Sequence, residues 1–211
     1  MLFLGRGGVG KTSLAAHLLL NYPDQWSFLS DDMAVISSKG YVWLNSLAIH
    51  VYPYNIQAFP PTLWPTVIGS TCLERLHWEA RRRTKGITGV VRRISPSKLY
   101  RIKEYTAPIR TAIFVERWDE EFPKCSPLNH SAFVERATSV TLHELRALIN
   151  ALTEIASGVS TVITLSQFIK MIEAVYNAAL SGCSLYQVMV PKDWNPTRLS
   201  AFIFHCLDGS N

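Results

Sequence analysis

The chain has 211 residues, 48% hydrophobic and 18% charged, with 21 Lys and Arg against 16 Asp and Glu. That is too apolar and too weakly charged for a disordered chain, and long enough for one α/β domain with a substantial core. No apolar run reaches the ~20 residues of a membrane-spanning helix and no basic-then-apolar leader opens the chain, so a cytoplasmic protein without a membrane partner is expected.

Met1 to Leu4 is short and apolar, as in a buried parallel strand. It runs directly into Gly5-Arg6-Gly7-Gly8-Val9-Gly10-Lys11-Thr12. A helix follows, with Leu14, His17, Leu18 and Leu19 spaced for one buried face, and Pro23 ends it. Strands are predicted around Trp26–Ser30, Met33–Ser37, Tyr41–Leu44 and Ile49–Tyr52, with a turn at Gly40 between the second and third. Residues 53–70 hold four prolines and read as irregular loop. Residues 71–84 read as a helix ending in arginines, and 89–94 and 99–105 as strands joined by Ser95-Pro96-Ser97. Ile109–Glu116 is the strongest central-strand candidate of the second half. Thr141–Ala156 and Ser166–Leu180 have helical periodicity, the first capped by Ser139 or by Thr141 with Glu144. Ser184–Val190 is a last strand, and Asn195-Pro196 opens a terminal helix. No repeat and no linker interrupts residues 1–211.

The net charge of +5 is local. Residues 79–103 hold nine cations and one anion, net +8, which leaves −3 for the rest of the chain. This segment is expected to form a basic loop or hairpin insertion. It reads as a solvated loop, as a lid or grip for an acidic substrate, or as a nucleic-acid contact. The last is the weakest, because no aromatic reading surface or DNA-binding motif accompanies it. Within it, strand alternation points Arg101 and Lys103 to one face.

Gly5-x-x-x-x-Gly10-Lys11-Thr12 is a complete Walker A pattern in a strand-loop-helix context. Glycines let the backbone wrap phosphates, and the loop N–H groups with the helix N-terminus form an anion nest. The expected nucleotide-binding residues are Gly5, Arg6, Gly7, Gly8, Val9, Gly10, Lys11, Thr12 and Ser13. Lys11 would neutralise the β- and γ-phosphates, and the Thr12 hydroxyl would ligate Mg²⁺. The loop also resembles those of ParA-type ATPases, small GTPases and NB-ARC ATPases. Arg6 stands where a ParA-type loop has lysine, and no Asn-Lys-x-Asp guanine motif is present.

Phe28-Leu29-Ser30-Asp31-Asp32 follows about 20 residues after Lys11. Two acids beside a phosphate loop suit a site that holds a metal and deprotonates a hydroxyl. The run Gly5–Thr12, then Leu29-Ser30-Asp31-Asp32-Met33-Ala34-Val35-Ile36, then Gly40 and Tyr52-Pro53, resembles the catalytic domain of HPr kinase/phosphorylase and of HPr-kinase-related kinases. The same loop-to-aspartate spacing occurs in ATP-dependent phosphoenolpyruvate carboxykinase. The resemblance covers about residues 1–53. It implies an α/β P-loop nucleotide-binding domain with a mixed sheet flanked by helices, and a kinase that uses ATP and Mg²⁺. It implies Asp31 as the base, Thr12 and Asp32 at the metal, and Lys11 with Asp31 as the catalytic pair. The family carries further strands upstream of the loop, so such strands are expected to be missing here. Its downstream dephosphorylation signature is not recognisable.

The acceptor implied is a hydroxyl, foremost a serine of a protein or peptide, with a small-molecule alcohol open. A nucleotide-binding regulatory or assembly ATPase without an acceptor, and an inactive truncated relative, remain alternatives, and homo-oligomerisation stays open. Glu116 is a weaker candidate for a Walker B acid, and Glu74 for a distal metal acid. His17 reads as packed and His50 as a strand residue, and the tryptophans as core or semi-buried. Cys72, Cys125, Cys183 and Cys206 include no CxxC pair and read as reduced thiols.

Overall fold

The computed structural model describes residues 1–86, 89–156 and 164–208. In chain order the elements are β1 (Leu2–Leu4), α1 (Lys11–Asn21), β2 (Val35–Ile36), β3 (Tyr41–Trp43), β4 (Ile49–Val51), α2 (Trp64–Val67), α3 (Cys72–Lys85), β5 (Arg92–Ile94) and β6 (Thr106–Pro108). Then follow β7 (Thr111–Trp118), β8 (Lys124–Pro127), α4 (His130–Glu144), α5 (Arg146–Ala156), α6 (Leu165–Ala179), β9 (Ser184–Pro191) and α7 (Pro196–Asp208). The protein is mixed α/β, with a mixed parallel and antiparallel sheet flanked by helices. It divides into two compact units, one of Met1–Val9, Ile36–Val42 and Pro108–Lys192, the other of Gly10–Val35, Trp43–Ala107 and Asp193–Asn211. Among the described residues no helix is long and apolar enough to cross a membrane, and none of the four cysteines forms a disulfide.

The first unit is built on a sheet of order β1-β7-β9-β8. β7 runs parallel to both β1 and β9, and β8 is antiparallel to β9. A central parallel strand is covered on both faces, which explains the unbroken apolar run Ala112-Ile113-Phe114-Val115, all buried. Phe133 of α4 meets Phe114 edge-on with centroids 6.2 Å apart, within the roughly 4.5–7 Å typical of aromatic pairs. α4 packs on α6, where the hydroxyls of Thr141 and Tyr176 are 2.8 Å apart.

The second unit gathers α1, α3, α7 and the antiparallel pair β4–β5. Its core holds Ala16, Phe28, Ile49, Val51, Phe59 and Val67. Phe204 of α7 packs against Tyr22 and Trp26 with centroids 5.4 and 6.2 Å away. A separate three-stranded sheet, assigned to neither unit alone, has the order β2-β3-β6. Before β3, Gly40 turns at φ 77°, and its N–H donates to the Ser37 carbonyl.

Several predicted elements change. Trp26–Ser30 is not a strand: Phe28 is fixed by side-chain packing on Tyr100, and Leu29 accepts one backbone bond, from Asn45. Residues 99–105 are not a strand either, because Leu99 and Tyr100 turn into the core and the Lys103 N–H donates to the Ser27 hydroxyl. Arg101 and Lys103 nevertheless both reach Asp24, at 3.7 and 3.9 Å. Met33–Ser37 pairs only over Val35–Ile36, and residues 89–94 only over Arg92–Ile94.

Residues 53–70 are turns rather than irregular loop. Two 3₁₀ turns, Pro53–Ala58 and Pro61–Leu63, precede α2, each with proline at its first position, where no N–H is needed. On α1 the buried residues are Ser13, Leu14, Ala16 and Leu18, whereas His17 is half-buried and bonds Asn21. The helix predicted at Thr141–Ala156 is two helices. α4 starts at His130, capped by the Asn129 side chain, and Leu145, at ψ 6°, separates it from α5. Ser139 and Thr141 therefore lie inside a helix and cap nothing; Thr141 bonds back to the Ala137 carbonyl.

Candidate functional site

The loop residues Gly5 to Val9 belong to the first unit. Gly5 leaves β1 at φ 150°, and a Cβ there would lie 2.3 Å from the Val115 carbonyl oxygen of β7. Only glycine fits so close an approach. Arg117, two residues further along β7, donates from Nε to the Val9 carbonyl at 3.1 Å and from Nη1 to the Pro191 carbonyl at 2.6 Å. Arg117 thus pins the middle of the loop. The sequence carried no sign of this, because arginine at a strand end has many surface uses.

Gly10 to Thr12, with the aspartate pair, belong to the second unit. Gly10 caps α1 at φ 102° without a side-chain bond. The first-turn N–H groups of a helix lack intrahelical partners and favour anions. Thr12 Oγ1 donates to Asp31 Oδ1 at 3.0 Å. Asp31 Oδ2 is buried and has no hydrogen-bond partner. Burial, reinforced by the adjacent Asp32 charge, pushes the Asp31 carboxyl up to about 6, against the pull of the Thr12 hydroxyl and the Lys11 ammonium. The neighbouring Tyr100 hydroxyl is pushed up by burial and then by Asp31.

The core sets this position. Phe28 stacks on Tyr100 with centroids 5.4 Å apart, and both are buried. Asn45 brackets the aspartates: its N–H donates to Leu29 O at 2.8 Å and its side-chain amide to Met33 O at 2.6 Å. Asn55, 2% exposed, donates from Nδ2 to Ser13 Oγ at 2.8 Å and accepts from the Tyr52 N–H at 3.0 Å. The Ser13 side chain is therefore engaged in a buried bond with Asn55. Asn45 and Asn55 stand at separations with no local pattern, so nothing in the sequence marked them.

Asp32 faces outward. Its side chain is 60% exposed, and its Oδ2 lies 3.5 Å from His50 Nδ1 on β4. The Tyr52 and Tyr54 rings stack nearby with centroids 5.2 Å apart, and Tyr54 is raised by burial, then by Tyr52 and Asp32. Asp31 and Asp32 therefore have different surroundings, the first buried on Thr12, the second open beside His50. Among the described residues no three His, Cys, Asp or Glu come together as a metal cage. Mg²⁺ in nucleotide sites takes one or two carboxylates plus substrate phosphates. The Thr12 hydroxyl and the open Asp32 carboxylate are oxygen donors of the kind that requirement names, and the buried Asp31 Oδ2 is a further acceptor without a partner.

Two weaker candidates have other partners. Glu116 accepts from Arg136 at 2.9 Å and from Gln187 at 2.5 Å, a structural use of the carboxylate. Glu74 closes the capping box of α3, accepting from Ser70 N–H at 2.7 Å and Ser70 hydroxyl at 3.0 Å. These bonds lower the Glu74 carboxyl. In the basic segment 79–103, positions 87 and 88 lie outside the described residues. Its helical part is α3, not a loop, and there Arg82 and Arg83 close on Glu79 at 2.7 and 3.1 Å.

No family model matches the chain, and neither a curated protein nor a solved structure matches it.

Proposed function

We propose that the chain is a P-loop phosphotransferase that uses ATP with Mg²⁺ and phosphorylates a hydroxyl, foremost a serine of a protein or peptide. One observation carries the reading: the hydroxyl of the loop threonine, Thr12, is bonded to Asp31, whose second oxygen is buried and unpartnered. A Walker A pattern that met no acid would carry far less. In this reading the backbone of Gly5 to Thr12 and the Ser13 N–H hold the phosphates, and the Lys11 ammonium balances their charge. Mg²⁺, when bound, adds positive charge at the phosphate oxygens, with Thr12 and Asp32 as its protein ligands. Asp31 Oδ1 stays on Thr12, and Oδ2 receives the proton of the acceptor hydroxyl as its oxygen bonds to phosphorus and ADP departs.

The test is radiolabelled ATP with Mg²⁺ and candidate acceptor proteins, peptides and small alcohols. Label on an acceptor is expected, with Lys11→Ala weakening both ATP affinity and transfer. Unchanged ATP affinity in Lys11→Ala sinks the loop assignment. Slow hydrolysis with no labelled acceptor replaces the kinase by a regulatory ATPase.

A further inference from the structure

α3 and β5 leave an apolar groove open within the second unit. Only Trp78 of the α3 side chains is buried; Leu73 is 78% and Leu76 60% exposed. Residues three apart on a helix share a face. With Ile68 and Val91, these leucines line a groove of about 810 Å³. Together the four apolar side chains form one contiguous patch on an element otherwise rich in charge, and contiguous exposed apolar patches mark interaction sites.

The groove is bordered by cations. Arg81 and Arg92 both line it. Arg81 has no acid within ion-pair distance among the described residues, unlike its neighbours Arg82 and Arg83, which share Glu79. Arg92 donates Nη1 to the Ile68 carbonyl at 2.6 Å, which fixes its guanidinium at the groove wall. The one carboxylate of the lining, Glu74, is held by the Ser70 and Thr71 N–H groups of the helix cap. Of the cations of segment 79–103, Arg81 and Arg92 are the ones that line the groove. Apolar floor and cationic rim together call for an acidic amphipathic ligand. A nucleic acid would use the arginines and leave the leucines in water. A second copy meeting the same face would set arginine against arginine.

We propose that this groove docks an acidic amphipathic helix of a partner protein, its apolar side chains on Leu73, Leu76 and Val91 and its carboxylates on Arg81 and Arg92. The proposal deepens the phosphotransferase reading and rests on it for one point, that this partner carries the accepting hydroxyl.

The probe is a fluorescein-labelled synthetic peptide with leucine at helical i, i+3 and i+7 positions and glutamate between them, titrated by anisotropy against the full chain without nucleotide. Saturable binding is expected, weakened by salt. Leu73→Ser with Leu76→Ser, and separately Arg81→Glu, should each weaken it about tenfold or more, while their melting curves and ATP affinity stay at the wild-type level. The peptide with lysine for glutamate should not bind. The proposal is overturned by absent binding of the acidic peptide, by equal binding of the lysine peptide, or by an intact affinity in the leucine double variant. It is overturned equally by a single-stranded oligonucleotide that binds through Arg81 regardless of the leucines, or by self-association that the leucine variant abolishes and the peptide leaves untouched. Lys11→Ala separates the two readings, since it should still bind the peptide. Peptide binding with no labelled acceptor in the radiolabelled ATP assay sinks the kinase reading alone; transfer insensitive to the groove variants sinks the one point that the docked partner carries the accepting hydroxyl.

Discussion

Replacing Asp31 with asparagine separates charge from shape at the Thr12 contact. Asparagine keeps an oxygen for the Thr12 hydroxyl, which lies 3.0 Å from Asp31 Oδ1, and removes the titrating proton. Burial pushes the Asp31 carboxyl up to about 6. Between about pH 4, the ordinary carboxylate range, and pH 6, the folded chain holds a proton that the unfolded chain has released. Wild-type stability therefore falls as pH rises through that window and is level above it. At about 1.4 kcal/mol per pH unit, a displacement of about two units costs about 3 kcal/mol at neutral pH. The asparagine amide placed at the unpartnered Oδ2 position offsets about 1 kcal/mol or more of the relief. Asp31→Asn should thus be more stable than wild type by about 1–2 kcal/mol at pH 8, with the gain gone or reversed at pH 4. Urea unfolding of both nucleotide-free chains at the two pH values measures it. The same variant should bind ATP and lose roughly 10²–10⁴ in transfer rate, the contribution of a positioned base. A stability difference independent of pH would refute the buried ionised carboxylate. Near-normal turnover would refute Asp31 as the proton acceptor.

Thr12→Ala removes a bond that lowers Asp31, so the carboxyl should titrate higher and the pH window of falling stability should extend upward, as a carboxyl NMR titration would show. An unmoved titration would mean that the hydroxyl does not act on Asp31. Asn55→Ala strips partners from the buried Ser13 hydroxyl and the Tyr52 N–H. It should cost about 2–4 kcal/mol by denaturant unfolding, and a cost under 1 kcal/mol would contradict the bond pair. Gly5→Ala drives a Cβ to 2.3 Å from the Val115 carbonyl, so a lower melting temperature by several degrees, for about 2–4 kcal/mol, is expected. An unchanged melt would show that the loop does not approach β7 so closely.

Parts of the fold were legible because local chemistry decides them. The apolar run Ala112-Ile113-Phe114-Val115 inside the predicted Ile109–Glu116 marks the centre of β7, since the part of a strand covered on both faces favours apolar residues. Asn195-Pro196 marks the start of α7, and the Asn195 side chain does accept from the Arg198 N–H. The start of α4 was legible too, in Asn129 and the buried Phe133, Val134 and Ala137, but the later Thr141-x-x-Glu144 pattern was the more visible cap. Trp26–Ser30 misled for a different reason. Its Phe28 is buried by packing on Tyr100, and among the described residues no strand pairs with the segment.

The sequence by itself determined the Gly5–Thr12 motif, the strand before it and the helix after it, the aspartate pair, and the confinement of positive charge to one segment. Each of these depends on residues close together in the chain. Only the tertiary structure decided which aspartate meets Thr12 and which stands open beside His50. It also decided that Arg117 holds Val9 and that Asn55 holds Ser13. Those contacts join residues 18 to 108 positions apart. Such pairings follow from where the core places each backbone, and short-range propensity carries no information about them. The basic segment shows the same division. Its charge was plain in the sequence, but the exposed leucines of α3 gained meaning only when the folded chain set them between Arg81 and Arg92.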